Sequence, residues 1–265
     1  MRYFDFHTHA FTDELAERAV SGLASTSGIE PATDGTLGGL RKKLAENGID
    51  RALLLPVATK PSQQRTINNW AASVMGGGLY CCGTVHPDAA DAAAEVERIK
   101  SLGLYGVKFH SEYQGFCPHE ERMFPIYEKI EELGLIAVFH GGWDPYSDES
   151  IRATPQSFAA LAKAFPKLKI VAAHLGGMKL WSDIEKYTAG RFDNLWFDVS
   201  VIARFIEDEQ LLRIIRMQGA DKVLFGSDCP WDDPAHEIAM INRLPLSDRE
   251  KELIFHINAE KLLGI

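Results

Sequence analysis

Nothing in this sequence of 265 residues approaches the run of about 20 apolar residues that a membrane-spanning helix needs. No membrane association is therefore expected. The opening decapeptide, MRYFDFHTHA, is charged and polar where a secretory leader would be apolar, which gives the expectation of a cytoplasmic protein. Cysteine is scarce. Cys81, Cys82, Cys117 and Cys229 contain no CxxC pair, and the adjacent Cys81 and Cys82 are badly placed to bridge each other, so reduced thiols are expected. Positive charge is in deficit: 28 Lys and Arg face 37 Asp and Glu, a formal net charge of -9. Phosphate binding needs a basic surface, so nucleic acid is not expected as a main partner. No linker, charge block or low-complexity tract divides the chain. With 46% hydrophobic residues it can bury one core, and a single domain over residues 1–265 is expected.

What the sequence does have is alternation. Short β-rich runs at Arg2–Phe6, Arg51–Leu55, Tyr80–Val85, Tyr105–Phe109, Leu135–Phe139, Lys169–Ala173, Leu195–Val199 and Lys222–Gly226 are separated by segments of helical periodicity. In Asp88–Ser101, Ala92, Val96 and Ile99 recur at helical spacing; Glu120–Leu133 and Pro155–Phe165 read likewise. Thr154-Pro155 places a capping hydroxyl before a helix-starting proline, and Ser247 with Glu250 fits a capping box. Gly48, Gly103 and Gly134 fall between helix and strand, where a left-handed residue is wanted. Ser21–Gly35, rich in Gly, Ser, Thr and Pro, reads as an irregular loop after the first strand. Eight strand–helix units favour an α/β fold of the (β/α)8 TIM-barrel type.

Six of the nine histidines, His7, His9, His86, His110, His140 and His174, stand where a strand ends. Such positions make up about a tenth of the chain, and in a barrel they converge on the active-site mouth. In Asp5-Phe6-His7-Thr8-His9, strand alternation lets both imidazoles reach one ion, which suits zinc; the same alternation puts Asp5 on their face and turns Phe4 and Phe6 to the helices. His140 and His174 are each followed by a Gly-Gly pair that opens space, and are read as a ligand and a site residue. Asp228, after the last strand, can hold a metal and accept a proton from bound water, or cap a helix. His86, before Pro87, reads as structural. Lys108 and His110 share a strand face. Lys108 can be a packed lysine, a carboxylate anchor or a carbamylated bridge between metals, and His110 can bind substrate or a second ion. The loops after strands four and five add Tyr113, Phe116, Trp143, Tyr146 and Arg152, suited to a small planar or acidic substrate.

Taken in order, Asp-Phe-His-Thr-His, Val-Lys-Phe-His, Phe-His-Gly-Gly, Ala-His-Leu-Gly-Gly and Phe-Gly-Ser-Asp-Cys-Pro-Trp resemble the amidohydrolase superfamily, in particular its amidohydrolase-related branch. The likeness runs from Asp5 to Gly264. That branch contains metal-dependent hydrolases and decarboxylases of the aminocarboxymuconate-semialdehyde and resorcylate type. The resemblance implies metal ligands at His7, His9, His140 and Asp228, and an acid/base or carbonyl-polarising role for His174. Lys108, His110, Trp143 and Arg152 are the expected substrate contacts. The cofactor expected is one divalent ion, zinc with manganese as the other choice, or two ions if strand four contributes. The main expectation is a hydrolase acting on a small carbonyl substrate such as a lactone or amide through metal-activated water. This preference rests on the lack of an obvious insertion to build an aromatic-acid pocket. The alternative is non-oxidative decarboxylation of an unsaturated or aromatic acid. A TatD-like deoxyribonuclease, whose strand-four glutamate has no match here, and a barrel that binds without turnover come last. Homo-oligomerisation is expected only through the resemblance.

Overall fold

A computed structural model describes residues 1–145 and 151–265. All pairings between its strands are parallel. The strands are β1 (Phe4–Thr8), β2 (Arg51–Leu54), β3 (Leu79–Cys81), β4 (Gly83–Thr84), β5 (Gly106–Phe109), β6 (Ile136–Phe139), β7 (Lys169–Ala172), β8 (Leu195–Asp198) and β9 (Val223–Leu224). They pair as β1-β2-β3 and β4-β5-β6-β7-β8-β9. Only Cys82 separates β3 from β4. Its amide donates to Leu54 O, and Tyr105 N donates to Cys81 O, so the two segments act as one barrel strand. The other seam is closed by Phe6 N to Phe225 O (2.8 Å), Asp228 N to His7 O (2.8 Å) and His9 N to Cys229 O (2.7 Å). The eight expected strands thus form a closed (β/α)8 barrel, their ends shifted by a residue or two.

Strand alternation produces two apolar layers. Ala52, Leu54, Val107, Phe109, Ala137, Phe139, Ile170 and Phe197 pack against the surrounding helices. Phe4, Phe6, Leu53, Leu55, Val138, Val171 and Leu224 fill the lumen, closed at one end by Ala259 and Leu262 of the helix Asn258–Leu263. The lumen is therefore a packed core, and polar groups enter it only at the strand C-termini.

One expectation fails here for a local reason. The β1–β2 ladder shifts register between Asp5 and Thr8. Such a bulge inserts one residue and resets which face the next side chains occupy. Phe4 and Phe6 point into the lumen rather than to the helices, and the extra residue after Asp5 lets His7 turn inward as well. Asp5 leaves their face and binds Ser227 through its amide (2.9 Å) and hydroxyl (2.6 Å). Burial pushes the Asp5 carboxyl up to about 7 against those hydrogen bonds.

A second correction concerns Ser21–Gly35. Most of its first half is helical: α1 spans Asp13–Ser27 and stops at Gly28, whose φ of 70° is the left-handed conformation that ends a helix. Only Ala16 and Val20 of α1 are buried, so the helix lies on the barrel by a narrow stripe. The other signals hold. Thr154 accepts from Ser157 N, Ser247 and Glu250 form the capping box, and Gly48, Gly103 and Gly134 take φ of 67°, 77° and 66°. The four cysteines are free thiols. No helix among the described residues is long and apolar enough to cross a membrane.

Candidate active site

At the C-terminal end of β1, His7 Nδ1 lies 2.8 Å from Asp198 Oδ2, and His9 Nδ1 lies 2.7 Å from Leu55 O. Both partners are acceptors, which puts the proton on Nδ1 and leaves each Nε2 with a bare lone pair. Those two Nε2 atoms are 3.2 Å apart, and Asp228 Oδ1 sits 3.2 Å from the first and 3.0 Å from the second. Three electron-rich atoms are held together in a site with little access to water. Lys108 relieves part of that crowding, its Nζ being 3.1 Å from His7 Nε2. Burial, reinforced by this ammonium, pushes His7 down to about 4, so the imidazole is neutral. Burial also brings Lys108 down to about 8 despite the attraction of Asp198 and Asp228. Burial opposes ionisation of Asp228 as well, but His7 and His9 hold its carboxyl well below the usual range. Two imidazole lone pairs and a carboxylate fit a divalent ion.

His140 stands outside that group of three. Its Nδ1 is 3.0 Å from His174 Nε2, and His174 Nδ1 is 3.0 Å from the Ser200 carbonyl. Following the protons outward from that carbonyl, His174 donates through Nδ1 and accepts at Nε2, so His140 donates through Nδ1. The Nε2 of His140 is then a buried lone pair without a hydrogen-bond partner among the described residues, the state a metal ligand requires. His140 also joins His110 and Asp144 in a second group of possible ligands. There the His110 and His140 rings stack at 4.2 Å and 14°, so their in-plane lone pairs run side by side and do not converge on one point. His110 is further sandwiched by Tyr113, with ring centroids 3.6 Å apart.

These groups form the floor of a cavity of about 550 Å³. Trp143, Tyr113, Phe11, Trp70, Phe205 and Trp231 supply aromatic walls, and α1 supplies Leu15, Arg18, Ala19, Gly22 and Leu23. Of the expected substrate contacts, Lys108, His110 and Trp143 line this space. Arg152 does not: its amide and Nη1 bind the buried carboxylate of Glu112 at 2.8 and 2.9 Å, which needs a partner of opposite charge. Tyr146 lies outside the described residues. His86 is absent from the lining and takes part in loop hydrogen bonds with Gln64 and Asp88, as its structural reading implied.

Residues 4–265 match the family described as Amidohydrolase. The chain belongs to that family. A curated relative, 2-amino-3-carboxymuconate-6-semialdehyde decarboxylase of Dictyostelium discoideum, is 24% identical over 206 residues, covering 63% of this chain and 55% of that protein. The match thus spans about half of the relative. Among solved structures, an uncharacterised TIM-barrel protein from Bordetella bronchiseptica superposes with a TM-score of 0.80 at 20% identity, covering 100% of this chain and 99% of that one. A 5-carboxyvanillate decarboxylase from Novosphingobium aromaticivorans, complexed with manganese and 4-hydroxy-3-methoxy-5-nitrobenzoic acid, gives 0.75 at 18% identity, covering 100% and 96%. At such identities these structures bear on the fold alone.

Within this amidohydrolase two contributors escaped the search for strand-end histidines. Asp198 ends β8, pairs with His7, and accepts from His174 N and Ser200 N, each at 3.1 Å. Burial works against its charge, yet His7, His174 and Ser200 hold it ionised well below the usual carboxylate range. Ser200 Oγ lies within 3.1 Å of both His7 Nδ1 and His174 Nδ1. The available signal was the carboxylate itself, placed at a strand C-terminus. Gly226 is the third device. A Cβ there would sit 2.8 Å from His7 Cβ. Gly226→Ala is expected to displace His7, lower metal content per chain and cost about 1–3 kcal/mol of stability. Metal analysis beside a denaturation curve checks this; unchanged metal content would show that His7 needs no such room.

Proposed function

We propose that this amidohydrolase is a metal-dependent, non-oxidative decarboxylase of an aromatic or similarly unsaturated carboxylic acid. The cavity carries this reading: a space of about 550 Å³ with aromatic walls stands over a floor of histidines, Lys108 and Asp228. The expectation of hydrolysis rested on a missing pocket, and α1 supplies the wall that the sequence seemed to lack. The named decarboxylases among the relatives point the same way.

His7, His9 and Asp228, with His140 beside them, would hold one divalent ion, which when bound would fix and polarise the carboxylate and a neighbouring oxygen of the substrate. The nitrogen and oxygen donors suit zinc and manganese alike. Lys108 sets positive charge against the acid. His174, braced by Ser200, holds His140 in its lone-pair tautomer. Asp228 Oδ1 faces the histidines, which leaves Oδ2 as the atom to carry a proton. The carboxyl is ionised in the free protein, and the negative charge of an acid bound beside it would favour its protonation from solvent. Transferred to the carbon that bears the carboxylate, this proton takes that carbon's electron pair. The carbon–carbon bond then breaks, its electrons restore the unsaturated system, carbon dioxide leaves, and Asp228 is reprotonated from solvent. The aromatic walls keep water from the reacting carbon.

The test is a panel of hydroxylated benzoic acids, unsaturated diacids, lactones and amides offered to zinc- and manganese-loaded protein in deuterated water. Release of carbon dioxide with one deuteron at the vacated carbon is expected. Turnover of a lactone or amide, with no carbon dioxide from any acid, would restore the hydrolase reading.

A further inference from the structure

The face of α1 that looks into the cavity carries Leu15, Arg18, Ala19, Gly22 and Leu23, spaced i, i+3, i+4, i+7 and i+8 along one side of the helix. Four of the five are apolar or lack a side chain; the exception is a guanidinium. On the β7 side of the mouth, Lys179 holds its Nζ 3.3 Å from the centroid of Trp143 and 5.7 Å from that of Phe205, two cavity-lining rings. Its backbone is left-handed, with φ of 62°, a conformation that costs about 1–3 kcal/mol in a residue with a side chain. Among the described residues neither cation meets a carboxylate. In a chain with nine more acids than bases, an unpaired cation in the cavity lining and a second against two of its rings are a departure from the surface as a whole. Neither belongs to the ligand cluster on the floor.

Resting on the decarboxylase reading, we propose that Arg18, with Lys179 as a second cation, binds an anionic substituent of the substrate remote from the group held on the floor. The substrate is thus a diacid with an apolar, unsaturated body. One acid sits among His7, His9 and Lys108, and the other reaches the mouth. Leu15 and Leu23 flank Arg18 on the cavity face, so the apolar body of a ligand seated against them would shield an ion pair with the guanidinium from solvent. The aromatic pair under Lys179 retains that ammonium at the mouth when no ligand is bound.

Calorimetric titration of the metal-loaded protein with isophthalate, terephthalate and biphenyl-4,4′-dicarboxylate, each beside its monoamide, decides the matter. At least one diacid should bind about tenfold more tightly than its monoamide, the scale of one charge-assisted contact. Arg18→Leu should erase that preference and leave monoamide affinity unchanged, Arg18→Lys should restore part of it, and Lys179→Met should remove a smaller share. The preference should also shrink as salt is raised. No diacid preference in the wild type, or a preference that survives Arg18→Leu, overturns the inference. Monoamide binding judges the underlying reading separately: it should vanish in a His7→Ala/His9→Ala protein, and persistence there would remove the metal-held acid while leaving the Arg18 result interpretable.

Discussion

Asp228→Asn will lower turnover by about three to four orders of magnitude while the barrel stays folded. The size follows from the two things lost. An amide cannot carry the proton that Oδ2 would transfer, a contribution of about 10²–10⁴, and it weakens the anionic contact with His7 and His9 at 3.2 and 3.0 Å. The residue is also strained, with φ of 65°, a region that asparagine tolerates as well as aspartate, so the backbone has no reason to collapse. Steady-state rates on whichever acid is turned over, with metal content measured on the same sample, separate the losses. Metal retained with turnover gone supports the proton role. Turnover within tenfold of wild type would remove Asp228 from the chemistry.

Asp198→Ala should produce the largest combined change in metal affinity and stability. Asp198 touches no cavity surface, yet four donors converge on its buried carboxylate: the His7 ring, the amide and hydroxyl of Ser200, and the His174 amide. Removing it strands those donors, the Ser200 hydroxyl included, at about 1–3 kcal/mol each. It also frees the His7 ring to turn, and loss of such a partner weakens metal binding about 10–100-fold. Competition against a chelator measures the second effect and chemical denaturation the first. A depressed carboxyl stabilises the fold above the ordinary carboxylate range and loses that contribution as pH falls through it. The stability gap between wild type and Asp198→Ala should therefore narrow below about pH 4. An unchanged metal affinity would show that His7 is oriented by something else.

The order of strands and the strand-end positions of His7, His9, His140 and Asp228 were legible because alternation, turn residues and histidine placement are local signals. The inward turn of Phe6 beside an inward His7 was not. It depends on a register shift between β1 and β2, which is a property of two strands 45 residues apart rather than of either one. His174 shows the same limit. By parity with Ile170 and Ala172 it should face the helices, and a left-handed φ of 58° redirects it toward His140. The helix α1 was masked by its own composition, since Ser, Gly and Thr are poor helix formers and only Ala16 and Val20 are needed to dock it. Arg152 looked available because its neutralising partner, Glu112, lies 40 residues away in the chain.

The seam that closes the ring has a bearing on how the protein comes into being. Residues 6–9 meet residues 225–229, and the apolar floor of the lumen is finished by Ala259 and Leu262. During synthesis, the first half of the ligand pair emerges more than 200 residues before the second, and nothing can complete the site in the interval. Ion capture thus requires a long-range contact across the barrel seam rather than any local one. A nascent or truncated chain would leave His7 and His9 as two exposed imidazoles with weak, promiscuous affinity. Tight, selective uptake would report that the ring has shut, which makes metal retention a direct assay of assembly in vitro and on the ribosome.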